Sequence, residues 1–141
     1  MDKIILTREP IDEAAVAQWL RRFDAGALAT FEGTVRAESA CDKTLAALEY
    51  ESYEGMAVRQ MEALRNEAIS KHAILDAAIV HRLGRIRLGE TSILVVVASA
   101  HRAEAFAACQ WIVDRVKADV PIWKKDVWAD GTTSWVRPEA T

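Results

Sequence analysis

Ser92-Ile-Leu-Val-Val-Val-Ala98, running directly into Ser99-Ala-His101-Arg102, decides the fold. Apolar residues at successive positions leave no face for water, so the run reads as a central strand. Toward the C-terminus, Ala103 to Ala118 has helical spacing, with Phe106, Cys109 or Gln110, Ile112, Val113 and Val116 inward. Pro121 stops it, because the residue before a proline avoids helical angles. A hairpin of Ile122–Trp128 and Ser134–Val136 then folds around Asp130-Gly131. Toward the N-terminus, Ile74–Arg82 is a strand broken by Leu83-Gly84, and Ile86 and Leu88 form a short piece before the turn at Gly89-Glu90. A helix from Glu54 to Lys71 buries Met56 or Ala57, Met61, Leu64 and Ala68. Leu45–Tyr53 is a strand, 37–44 is a polar, aperiodic loop, and Ala27–Val35 is a strand. A first helix starts near Pro10, Asp12 and Glu13, turns Ala15, Trp19, Leu20 and Phe23 inward and ends at Gly26. Lys3–Thr7 opens the chain as a strand. The order β-α-β-β-α-β-β-α-β-β predicts an α+β fold over 1–141 as one domain, three helices lying on one side of a mostly antiparallel sheet with a C-terminal hairpin.

Composition narrows the function. The 141 residues are 51% hydrophobic and 28% charged, far from the composition of a disordered chain. Neither a bilayer-spanning run nor a signal-peptide core is present, which predicts a soluble cytoplasmic protein without a membrane partner. A net charge of −3 argues against nucleic acid held by bulk electrostatics. The charge is uneven, however. Residues 1–70 carry 8 basic against 13 acidic side chains and residues 71–141 carry 10 against 8, so cations gather in the second half. Such gathering suits a local anion site. Cys41 and Cys109 form no disulfide framework, and His72, His81 and His101 lack metal-ligand spacing. Phosphate-loop and GxSxG patterns are absent.

Three stretches exceed what folding requires. Phe31-Glu-Gly-Thr-Val-Arg36 ends a strand with glycine and arginine beside a polar loop. At His101-Arg102 the most apolar strand meets a helix N-terminus, where free N–H groups and an arginine fork favour an anion; without a ligand, the same pair is a capping histidine and a solvated arginine. Lys117-Ala-Asp-Val-Pro-Ile-Trp-Lys124-Lys125 sets a lysine near a helix end and two more on a strand. Crowded cations have lowered pKa values and can serve as nucleophile or base, whereas lysines that merely snorkel over tryptophan do not.

Phe31–Arg36, Leu48-Glu-Tyr-Glu-Ser-Tyr-Glu-Gly-Met-Ala57, His81-Arg-Leu-Gly84, Val97–Phe106 and Val120-Pro-Ile-Trp-Lys-Lys125 together, in order over about residues 3–136, resemble the large, catalytic subunit of molybdopterin synthase. The resemblance implies an αβ hammerhead fold and a sulfurtransferase that converts cyclic pyranopterin monophosphate to the dithiolene of molybdopterin, in molybdenum cofactor biosynthesis. It implies a small ubiquitin-like partner whose C-terminal Gly-Gly thiocarboxylate donates sulfur, and a homodimer within a heterotetramer. No metal or other cofactor is implied. Residue by residue, Lys117 matches the principal catalytic group and Lys124 an assisting one. Thr34, Val35 and Arg36 match a substrate-binding strand end, His101 and Arg102 a phosphate-contacting pair, and Lys125 and Asp126 the flank of Lys124. Asp126 stands where the family often has Glu. The rival reading is a non-catalytic αβ module that binds a small anion; two lysines that folding does not demand weigh against it.

Overall fold

Residues 92–99 are all buried, and they run through the middle of a four-stranded sheet. The computed structural model describes residues 2–40 and 42–136. In chain order these form β1 (Ile4–Thr7), α1 (Glu13–Leu20), β2 (Ala27–Thr34), β3 (Ser39–Ala40), β4 (Lys43–Ser52), α2 (Glu54–His72), β5 (Asp76–Arg82), β6 (Gly84–Arg87), β7 (Thr91–Ser99), α3 (Arg102–Asp119), β8 (Ile122–Trp128) and β9 (Thr133–Trp135). Strand order in the first sheet is β1-β5-β7-β2, with β1 parallel to β5 and the remaining pairs antiparallel.

Alternation along β7 divides the core. Ile93, Val95 and Val97 pack with Met61 and Leu64 of α2 and Ile112 and Val116 of α3. Leu94, Val96 and Ala98 pack with Val16 and Leu20 of α1 on the opposite face. The helices therefore lie on both sides of this sheet, not on one side as the order suggested. Strands apolar on both faces need cover on both.

The second sheet is built around β4, which pairs with β3, β6 and β8, while β8 pairs with β9. Val35, Leu45, Leu48 and Ile86 form its small core, with Tyr50 and Trp128 against it. The stretch 37–44 is not a simple loop: Ser39 pairs with Thr44 and Ala40 with Lys43, so β3 and β4 make a hairpin whose turn includes Asp42 at φ 61°. Polar edge strands lack the apolar alternation that marks a strand in sequence. Cys41 lies outside the described residues.

Two aromatic side chains depart from expectation. α1 is capped by Asp12, whose Oδ1 accepts the Ala15 N–H at 3.1 Å, and it ends at Leu20. Phe23 lies beyond it and is fully exposed, and Val16 fills the buried position instead. In α3 the inward stripe is Ala105, Ala108, Cys109, Ile112, Val113 and Val116. Phe106, one residue and hence about 100° out of that stripe, is exposed.

Candidate active site

Pro121 sets the site by forcing a corner between α3 and β8. Val120 already has extended angles, and its N–H closes the helix on the Val116 carbonyl at 3.2 Å. Lys117 thus stands exposed in the last turn of α3, and Lys124 lies on β8, opposite Tyr50 of β4. Across the gap, the register of β2 slips between Gly33 and Thr34, redirecting the chain so that Arg36 leaves the strand end. Glycine is required there, since a Cβ on Gly33 would lie 2.6 Å from Ile93 Cγ2.

These side chains form one electrostatic cluster. Burial lowers the Lys124 pKa below the ordinary lysine value; Lys117 and Arg36 lower it further, against opposition from Asp126 and Glu38. Burial, then Glu38, raises the Asp126 carboxyl, and Lys124 pulls it back. Arg36 reaches Glu38 at 3.4 Å, both largely open to water. Beneath the lysines, burial pushes the His81 imidazole down to about 4, with Lys124 and Lys117 contributing in the same direction. Glu38, Tyr50 and His81 are members that sequence reasoning missed. Glu38 had one usable signal, its place two residues beyond Arg36 in an extended segment, which puts both on one side.

Other candidates lie elsewhere. Val35 is 3% exposed in the small core; its N–H bonds to the Glu90 carbonyl at 3.0 Å and its carbonyl to the Gly89 N–H at 2.7 Å. Its side chain is buried and its backbone anchors the strand end from which exposed Thr34 and Arg36 project. Lys125 takes the opposite sheet face from Lys124, pairing with Glu49 at 2.9 Å beneath the Trp135 ring. Period-two alternation separates the two lysines. His101 and Arg102 are exposed at the start of α3, and the His101 side chain makes no capping bond. Fifteen helical steps lead from Arg102 to Lys117, about 22 Å along the axis. Neither residue is among the charges that act on Lys124.

A surface cluster of three cations and two carboxylates, one lysine partly desolvated, can hold an anion and stabilise negative charge as it develops. The described residues contain no group of three His, Cys, Asp or Glu placed to hold a metal, and no helix long and apolar enough to cross a membrane.

The family model described as MoaE protein matches residues 6–119. A Thermoplasma volcanium protein named molybdopterin synthase catalytic subunit is 46% identical, covering 92% of this chain and 94% of its own. A Bacillus subtilis protein of the same name is 38% identical over 96% of this chain and 85% of its own. The crystal structure of molybdopterin synthase from Staphylococcus aureus superposes with a TM-score of 0.91 at 31% identity, covering 97% of this chain and 98% of that one.

Proposed function

The chain belongs to the MoaE family, and from that premise we propose that it is the catalytic subunit of a molybdopterin synthase, moving sulfur from a thiocarboxylated partner onto a cyclic pterin monophosphate. The observation that carries this reading is the meeting of Lys117 from α3 and Lys124 from β8 beside Arg36, with burial first and then Lys117 and Arg36 lowering the Lys124 pKa. Substrate and donor are both anions, which such a cluster attracts and orients. Lys117, exposed at the helix end, receives the thiocarboxylate. Lys124, its pKa lowered by burial and by its neighbouring cations, assists in proton movement and holds the pterin. As the donor sulfur attacks the pterin carbon, a carbon–oxygen bond there breaks, and the surrounding cations stabilise the charge on the departing oxygen. Water then cleaves the tail's acyl–sulfur bond, leaving sulfur on the pterin and a carboxylate on the partner. Glu38 occupies Arg36 until an anion replaces it.

His101 and Arg102 fit this scheme through a second copy of the chain. At about 22 Å from Lys117 along their own helix, they serve the pterin phosphate in a neighbouring protomer's pocket, consistent with the homodimer that the family resemblance implies. The donor tail, two glycines without side chains, threads to Lys117, while a wider apolar contact between the globular bodies supplies most of the affinity.

Reconstitution tests the reading. The purified chain, mixed with a Gly-Gly-ended small partner in thiocarboxylate form and the cyclic pterin, is expected to yield dithiolene product. A partner lacking its last two residues is expected to assemble by gel filtration and give no product. Absence of product with the intact thiocarboxylate would refute the assignment, and loss of assembly on deleting Gly-Gly would refute the division between tail and body.

A further inference from the structure

Tyr50 and Lys124 are direct partners across β4 and β8, so their side chains share a face of the second sheet. The Lys124 ammonium stands 6.0 Å from the centroid of the Tyr50 ring. His81, 5% exposed, meets that ring edge-on, with centroids 5.0 Å apart and planes at 63°. The His81 Nδ1 lies 2.9 Å from the Arg82 carbonyl oxygen; a carbonyl only accepts, so this nitrogen carries the proton of a neutral ring. Ser92, whose hydroxyl donates to the Gly33 carbonyl at 3.0 Å, lies beside the Tyr50 hydroxyl. The ring is therefore held by its own strand, by His81 of β5 and by Ser92 of β7, and it bridges the base of the Arg36 arm to the strand bearing Lys124.

We propose that Tyr50 is a positioning residue for Lys124, with His81 as its buried backing, the two forming a neutral aromatic floor that fixes the ammonium beside Lys117 and Arg36. The proposal rests on reading Lys124 as a working member of the sulfur-transfer site. A lysine stem left free loses appreciable rotamer entropy whenever it is held in one place, and the floor makes that restriction permanent. The charged groups facing Lys124 are Lys117 from α3, Asp126 from β8, and Arg36 and Glu38 from the segment after β2. Those acting on His81 are Lys124 and Lys117, both positive, with the Tyr50 ring from β4 beside it. A charged imidazole would place a third cation under two, so the floor works only while His81 is neutral.

The test follows acetylation of Lys124 by acetic anhydride over a pH series, read by peptide mass spectrometry, in wild type, Tyr50→Phe and Tyr50→Ala. Tyr50→Phe keeps the ring and is expected to keep the wild-type midpoint and sulfur-transfer kcat within about twofold. Tyr50→Ala admits water under the ammonium, so the midpoint rises by about half a pH unit or more. Its kcat falls about 10- to 100-fold through misplacement, and the pterin KM rises with it, because Lys124 also holds the substrate. An unmoved midpoint in Tyr50→Ala, or a loss confined to KM, overturns the proposal. Should Tyr50→Ala not fold, imidazole NMR of Lys124→Met decides: the His81 midpoint, about 4 in wild type, rises when the ammonium above it is removed, and an unchanged midpoint overturns the floor. If Lys124→Met retains full sulfur transfer, the catalytic reading of Lys124 fails while a shifted midpoint in Tyr50→Ala still supports the floor. If Lys124→Met abolishes transfer and Tyr50→Ala shifts nothing, the floor alone fails.

Discussion

Lys117 and Lys124 are the same residue type in different physical states. Lys117 is exposed at a helix end, where a cation also complements the helix dipole. Lys124 is partly buried on β8, its pKa lowered first by burial and then by Lys117. Because Lys117 is exposed, Lys117→Ala should alter unfolding free energy by no more than about 0.5 kcal/mol while nearly abolishing turnover. Lys117→Arg keeps the charge but cannot deprotonate; it is expected to bind the thiocarboxylated partner and fail to turn over. Urea denaturation and product formation on the same preparations check both variants, and a fully active Lys117→Arg would reduce Lys117 to an electrostatic role.

Among the elements, β1 depends on a polar tie as well as on its sheet partner. Asp76 at the start of β5 accepts Lys3 at 2.6 Å and Arg65 of α2 at 2.5 Å, joining the N-terminal strand, the second helix and the sheet. Burial raises the Asp76 pKa, but the Lys3, Arg65 and Ala77 N–H hydrogen bonds outweigh it and the net shift is downward. A carboxylate depressed in the folded state contributes stability above its unfolded pKa of about 3.9, and that contribution is lost as pH falls through the lower folded value. Asp76→Asn should therefore cost about 1–3 kcal/mol at neutral pH, and its gap from wild type should narrow by about pH 2. Denaturant midpoints at the two pH values measure this; a gap that persists in acid would assign the cost to packing. The same scale shows how far sequence pattern reaches. The stripe from Met61 through Ala68 was legible in α2 because long helices repeat their period several times. Phe23 and Phe106 were misplaced because an early helix end and a 100° step are not resolved by hydrophobicity alone.

At the level of the whole molecule, the length of α3 is the decisive dimension. With His101 and Arg102 at one end and Lys117 at the other, about 22 Å away, a pocket that uses both ends draws them from two protomers. Arg102→Ala should weaken pterin binding by about 1.5–3 kcal/mol, the scale of a charge-assisted hydrogen bond. It should leave partner binding nearly unchanged. Lys117→Ala dimers, nearly inactive, and Arg102→Ala dimers, nearly inactive when pterin is kept well below its wild-type KM, are then expected to complement after subunit exchange. A mixed dimer collects both lesions in one pocket and leaves the other intact, so random pairing of equal amounts restores about a quarter of the wild-type activity. Turnover assayed before and after exchange measures it, and no recovery in a verified mixed dimer would place the pair and the lysines in the same protomer's pocket.

The central strand, the three helices, the α+β class and the motif set that resembles a molybdopterin synthase catalytic subunit were all legible in the order of residues. Those features are local: an apolar run, a 3.6-residue period, a proline stop and residues in fixed order all survive in one dimension. That resemblance, with the lysine pattern beside it, also singled out Lys117, Lys124, Arg36 and Asp126. Which of these meet was set by tertiary packing. It set Lys125 on the far face of β8 and sank Val35 into the small core. It sent His101 and Arg102 to the other end of α3 and brought Glu38, Tyr50 and His81 under or beside the lysines. Those choices depend on strand register, on the slip after Gly33 and on the packing of two sheets, each set by contacts between residues tens of positions apart. A charge feels its neighbours in space, and sequence spacing records only those neighbours that share a helix or a strand.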